Sequence, residues 1–320
     1  MRILFVTATR IGDAVLSTGV LAHLVGRYPG ARFTIAAGPA AAPLFEAVPG
    51  LERLIVVTKR RFGAHWLALH RVVALRRWDL VVDLRGSALS YLLRAGERRV
   101  MAKGNPGVHR VVQLAGLFAL DPPPAPRLFL TPRHESAAAA LVPAGGPVLA
   151  IGPAANWLGK QWRGERFAEL ALRLTAPGGP LPGARVALFG APHEREQAAP
   201  LARALPPGRA IDLVGRTDLL TAAAALQRCA LFIGNDTGVM HMAAAMGTPT
   251  LGLFGPSLAE HYAPWGARTA VVRTTRSYDE IVSAPDYDYR TTDTQMDTLS
   301  VDAVEAAARR LWASVAGAAP

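Results

Sequence analysis

The chain has a single cysteine, Cys229. That excludes an internal disulfide and a cysteine-based zinc site, and leaves Cys229 as a small buried hydrophobe. No apolar run approaches the ~18 residues of a membrane helix. Met1 to Thr9 lack the longer apolar core of a signal peptide because Arg10 and Asp13 follow at once, so a cytoplasmic protein is expected. G-x-G-x-x-G is missing from the first turn, which removes the dinucleotide fingerprint, and no P-loop occurs. His193-Glu194 has Gln197 where a zinc protease needs its second histidine. Without an aromatic-basic RNA motif or a recognition helix, nucleic acid is not an expected partner.

What remains is an ordinary globular composition, 51% hydrophobic and 18% charged, long enough at 320 residues for two domains with separate cores. The net charge of +11 is confined to one half: residues 1–147 hold 19 Lys and Arg against 8 Asp and Glu, and residues 148–320 hold 16 of each. A basic half beside a neutral one points to an acidic partner for the first domain, whether a charged saccharide, an anionic membrane surface or nucleic acid.

Short apolar runs predict strands over 3–7, 33–36, 54–57 and 80–84, with helical patterns after the first and over 39–47 and 87–93. Leu16, Val20 and Leu24 give the first helix its apolar face, with Gly12 supplying backbone freedom in the turn before it and Asp13 at its start. Residues 100–107 read as a connector. Five prolines between Asp121 and Arg133 predict an extended linker, about 121–147, and place the domain boundary there. The pattern restarts with strands at 147–151, 185–189, 211–213, 231–233, 250–254 and 271–272, helices between them, a polar loop over 278–297 and a last helix over 301–312. Alternating strands and helices in both halves predict an α/β fold of two doubly wound parallel-sheet domains.

The most informative stretch is Ala230 to Ser257. An apolar strand leads to Gly234-Asn235-Asp236-Thr237-Gly238, then a helix with Met242, Ala245 and Met246 on one face, a stop at Gly247 and Pro249, and a second strand. In a parallel sheet such a turn lies at the carboxyl end of its strand, where the free N–H groups of a helix start favour an anion. Asp236 and Thr237 either cap a core helix or border a phosphate site, and His241 either fills a gap or faces the ligand. A carboxylate repels a pyrophosphate, so Asp236 is expected to cap or to touch a sugar hydroxyl. The phosphate contacts then fall to the backbone of Thr237, Gly238 and Val239 and to the Thr237 hydroxyl. Asp13 reads as a helix cap, and Lys160 as a loop lysine. Lys59, Arg60 and Arg61 form a cationic triplet after a strand, with Arg85 at the tip of another. Asp286-Tyr287-Asp288 is formally a D-x-D pattern but sits in a loop, not at a strand tip.

The run Asn235-Asp236-Thr237-Gly238-x-x-His241, continued through Gly247-x-Pro249 to Leu253-Phe254-Gly255-Pro256, resembles the nucleotide-sugar motif of the ADP-heptose:lipopolysaccharide heptosyltransferases, the family 9 glycosyltransferases of GT-B fold. Ile11-Gly12-Asp13, Leu84-Arg85-Gly86, Lys160-x-Trp162 and the Gly190 segment follow the family's order. The resemblance implies two Rossmann-like domains facing each other across a cleft. Residues 1–147 would bind the acceptor and 148–320 the nucleotide sugar, with a C-terminal helix packing back on the first domain. It implies an inverting, metal-independent transfer of heptose from ADP-heptose to an acidic inner-core acceptor, Kdo or heptose. No cofactor is implied beyond the ADP-sugar donor substrate. Asp13 would be the general base and Lys160 the counter-charge for the leaving diphosphate. Gly12, Lys160, Glu194, Asp236, Thr237, Gly238 and His241 would hold the donor, and Lys59, Arg60, Arg61 and Arg85 the acceptor. The partners implied are a lipid A-Kdo type glycolipid and, for a monomer without nucleic acid, peripheral contact with the cytoplasmic face of the inner membrane. Another sugar or acceptor, or a sugar-nucleotide epimerase of the same architecture, are the alternatives. Gln295-Met296-Asp297 departs from the Cys-Met pair of many members.

Overall fold

Apolar runs too short for helices alternate with amphipathic stretches, and the computed structural model, which describes residues 1–102, 104–285, 287–290 and 293–316, builds them into two parallel sheets. The chain divides into Met1–Thr131 and Pro132–Pro320.

The first unit contains β1 (Arg2–Val6), α1 (Ile11–Arg27), β2 (Arg32–Ala37), β3 (Leu51–Val56), α2 (Ala64–Val73), β4 (Trp78–Asp83), β5 (Ala95–Val100) and α3 (Arg110–Gly116). Its strand order is β3-β2-β1-β4-β5. Central β1 buries Ile3 to Val6 on both faces, which is why it reads as a continuous apolar run. The edge strands instead expose Glu52 and Arg53 on β3 and Glu97, Arg98 and Arg99 on β5. That polarity hides β5 in the sequence, and its end at Val100 falls where the connector is expected to start. The helical patterns at 39–47 and 87–93 tighten into single 3₁₀ turns, Ala42–Phe45 and Ala88–Leu92. Gly12 lies inside the first turn of α1 rather than in the loop before it, so its backbone freedom is not used there.

The second unit runs α4 (Pro132–Leu141), β6 (Val148–Gly152), α5 (Gly164–Thr175), β7 (Arg185–Leu188), α6 (Arg195–Ala204), β8 (Ala210–Asp212), α7 (Leu219–Gln227), β9 (Leu231–Asn235), α8 (Gly238–Ala245), β10 (Thr250–Phe254), α9 (Ala259–Tyr262), β11 (Thr269–Arg273), α10 (Tyr278–Val282) and α11 (Val301–Ala316). The order is β11-β10-β9-β6-β7-β8. The extended linker is shorter than its prolines suggested. Pro132 opens α4, where a missing N–H costs nothing, and α4 packs on α7 of the second unit. The last helix belongs to the second unit, as the domain division expects, with Val304, Ala308, Leu311 and Val315 buried and the helix packed on α5, β10 and β11. The polar loop at 278–297 holds α10, capped reciprocally by Ser277 Oγ, which accepts from Glu280 N at 3.2 Å, and Glu280 Oε2, which accepts from Ser277 N at 2.6 Å. Cys229 is buried, and burial pushes its thiol up to about 12. Among the described residues no helix is long and apolar enough to cross a membrane.

Candidate functional site

In the second sheet β6 leads to β7 and β8 on one side, while β9, its neighbour on the other side, leads to β10 and β11. The loops after β6 and β9 therefore emerge side by side at the switch point, the usual ligand crevice of such sheets. The last register pair of the two strands is Gly152 and Gly234, where a Cβ on Gly234 would lie 2.8 Å from the Gly152 carbonyl oxygen. Fully buried Asn235 ties the two loops together. Its Oδ1 accepts from Trp162 N at 3.1 Å and its Nδ2 donates to Pro153 O at 2.9 Å.

Into this frame the β6 loop delivers Lys160 and the β9 loop delivers Asp236. Lys160 Nζ donates to Asp236 Oδ2 at 2.5 Å, although the residues are 76 positions apart. Asp236 is 6% exposed at its side chain, and His241 Nε2, from the first turn of α8, lies 3.8 Å from Asp236 Oδ1. Asp236 therefore does not cap α8. A carboxylate this buried needs a counter-charge, and Lys160 supplies it. The N-cap position belongs to Thr237, whose extended backbone starts the helix without a side-chain cap bond. The repulsion expected between Asp236 and an anion is thus offset locally: Lys160 keeps two of its three donors, and the first N–H groups of α8 have no intrahelical partner.

The Lys160 loop is held from below by residues 293–299. Gln295 N donates to Gly159 O at 3.0 Å, Trp162 Nε1 to Leu299 O at 2.9 Å, and Arg163 binds the Asp297 carboxylate through Nε at 2.6 Å and Nη2 at 2.5 Å. The Arg163 hydrogen bond holds the Asp297 carboxyl below the usual aspartate range. Gln295-Met296-Asp297 is thus the buttress of the lysine loop. Of the D-x-D pattern, Asp286 lies outside the described residues, and Asp288 Oδ1 accepts from Arg290 N at 2.8 Å. Glu194 closes the 3₁₀ turn Pro192–Glu194 in the loop after β7, where its Oε2 accepts from Ala191 N at 2.7 Å.

The first unit carries a cavity of about 300 Å³ at the carboxyl ends of β1 to β4. Lys59 and Arg85 line it together with Thr7, Thr9, His65 and Trp66, and the Arg85 guanidinium lies 5.8 Å from the Trp66 ring centroid. Arg60 and Arg61 are exposed and not part of its wall, so the expected triplet contributes one residue to the cavity. Asp13 is also outside the wall, as the third residue of α1. The turn that carries Arg85 is fixed by Asp83, a fully buried carboxylate. Asp83 accepts from Arg85 N at 2.8 Å, Ser87 N at 2.9 Å, Ser87 Oγ at 2.5 Å and Ser90 Oγ at 2.6 Å. The sequence reading missed Asp83, although a carboxylate ending a buried strand with serines four and seven residues on is the signal for such a turn. His65 and Trp66 were missed because α2 itself was. Asp83→Ala is expected to lower stability by ~2 to 4 kcal/mol, since four donors lose their acceptor, a loss readable by urea unfolding.

A model of glycosyltransferase family 9 (heptosyltransferase) matches residues 68–286. Lipopolysaccharide heptosyltransferase 2 of Salmonella typhimurium is 26% identical, over 88% of this chain and 90% of the relative. A family 9 glycosyl transferase structure from Veillonella parvula superposes with a TM-score of 0.78 at 22% identity, covering 98% of this chain and 97% of the other. The E. coli ADP-heptose LPS heptosyltransferase II structure gives 0.75 at 20% identity, covering 98% and 99%. Two parallel-sheet α/β units, a lysine and an aspartate paired at the switch point of the second, and a family model matching well over half the chain lead to one conclusion: this chain is a glycosyltransferase and belongs to family 9, the heptosyltransferase family.

Proposed function

We propose that this enzyme transfers heptose from ADP-heptose to an acidic lipopolysaccharide inner-core acceptor, onto its Kdo or heptose, with inversion and without a metal ion. The observation that carries this reading is the Lys160–Asp236 pair beside the start of α8. Lys160 and the N–H groups of Thr237, Gly238 and Val239 take the diphosphate, with Asp236 and His241 toward the sugar and Glu194 toward the nucleoside. The donor and acceptor classes are those named for the Salmonella relative and the E. coli structure. Asp13 takes the proton from the acceptor hydroxyl as that oxygen bonds to the anomeric carbon and the bond to ADP breaks; Lys160 stabilises the charge on the departing diphosphate. An inverting displacement needs base and leaving group on opposite faces of that carbon. Lys59 and Arg85 meet the acidic acceptor in the first-unit cavity. The reading places the enzyme on the cytoplasmic face of the inner membrane.

The test is ADP release from ADP-heptose with and without a Kdo-terminated lipid A acceptor. Acceptor-dependent release is expected, with a heptosylated product of inverted anomeric configuration. An epimerised donor formed without any acceptor would overturn the reading.

A further inference from the structure

Between Glu52 and Asp79 the chain has no carboxylate and seven Lys and Arg residues. The structure exposes Lys59, Arg60 and Arg61 after β3 and Arg71 and Arg77 on and beyond α2. Among the described residues none of these five forms an ion pair, whereas Arg76 pairs with Glu52 at 3.0 Å. Apolar side chains are interleaved with them. Phe62 and Leu75 are fully exposed, and Leu67 is more than half exposed. Leu67, Arg71 and Leu75 recur at four-residue spacing on the outer side of α2 and the turn that ends it, while Leu69 and Val73 face the core. Phe62 has a φ of +52°, a left-handed conformation that a bulky side chain rarely adopts, and Gly63 follows at +72°. The turn thus holds an aromatic ring in solvent directly after two exposed arginines, an arrangement that gives the folded chain no packing in return.

We propose that this face docks on an anionic phospholipid bilayer, with Phe62, Leu67 and Leu75 entering the headgroup region and Arg60, Arg61, Arg71 and Arg77 meeting lipid phosphates. The combination of apolar anchors and unpaired cations on one short helix and its turn is what an interfacial segment requires. A second copy is the poorer occupant, because a two-fold interface would set the same unpaired cations against each other. A nucleic acid would leave the leucines without a partner. The proposal deepens the glycolipid reading above and rests on it for its purpose: Lys59, His65 and Trp66, from the same turn and helix, line the cavity assigned to the acceptor.

The test is flotation of the intact protein with phosphatidylcholine vesicles, with and without about one-third phosphatidylglycerol. Binding is expected only to the anionic vesicles and should fall as salt rises. Phe62→Ser with Leu75→Ser should lower partitioning at least tenfold, the return of two apolar side chains to water. Arg71→Ala with Arg77→Ala should lower it about 25-fold, about fivefold per cation. Melting temperatures should be unchanged. ADP release with a delipidated acceptor sugar should persist in both variants while release with vesicle-embedded acceptor falls. Wild-type protein that ignores anionic vesicles, variants that float like wild type, or binding to homopolymer RNA in place of vesicles would each overturn the docking face. Wild-type protein that floats yet releases no ADP with any acceptor would sink the transfer reading and leave the docking face standing.

Discussion

Asp13→Asn is expected to leave stability within about 1 kcal/mol of wild type while turnover falls ~100- to 10,000-fold. The structure sharpens this expectation, because the capping role that competes with catalysis is not the one Asp13 occupies. The N-cap of α1 is Arg10, with no side-chain cap bond, and Asp13 is the third helical residue. Among the described residues its carboxylate makes no hydrogen bond or ion pair. What it contributes to folding is then limited to its charge near the positive end of the helix, roughly 0.3 to 1 kcal/mol. Asparagine keeps the size and loses the charge and the proton acceptor. Asp13→Ala should behave alike in stability, whereas a true cap would cost more as alanine than as asparagine. Melting temperature and turnover on the two variants decide the matter, and a fully active Asp13→Asn enzyme would remove the general-base role.

Lys160→Ala should be the most damaging change in the second unit, acting on folding and on donor binding at once. It leaves Asp236 buried without its counter-charge. Breaking a fully buried pair costs about 3 to 5 kcal/mol. Because the Lys160 side chain is 22% exposed, solvent recovers part of this, and about 2 to 3 kcal/mol is expected. In an Asp236→Asn background the same lysine change should cost much less, because no carboxylate is left stranded. ADP affinity is read separately, by calorimetry at a temperature where the variant is folded. A lost charge-assisted contact of about 1.5 to 3 kcal/mol corresponds to a dissociation constant about 10- to 150-fold higher. Equal stability losses in the two backgrounds would show that the pair is not coupled. Unchanged ADP affinity would leave Lys160 as only the counter-ion of Asp236.

Much of this is legible in the sequence alone. Strands buried on both faces, such as β1, β6 and β9, announce themselves as apolar runs because neither side meets water. The strand, turn and helix from Ala230 onward place Asp236, Thr237 and His241 at one strand end through local spacing alone. Strand β5 and helix α2 were not legible, since an edge strand and a half-exposed helix need only a thin apolar stripe and carry charges elsewhere. Only the tertiary structure decided that Asp236 pairs with Lys160 instead of capping α8. That contact depends on β6 and β9 lying side by side, an adjacency set by strand order that joins residues 76 positions apart. The same holds for the buttressing of the Lys160 loop by Asp297 and for the separation of Lys59 from Arg60 and Arg61. Residue type and spacing determine which chemistry the chain carries; packing determines which partner each charge finds, because a buried charge must be neutralised by whatever the fold brings within reach.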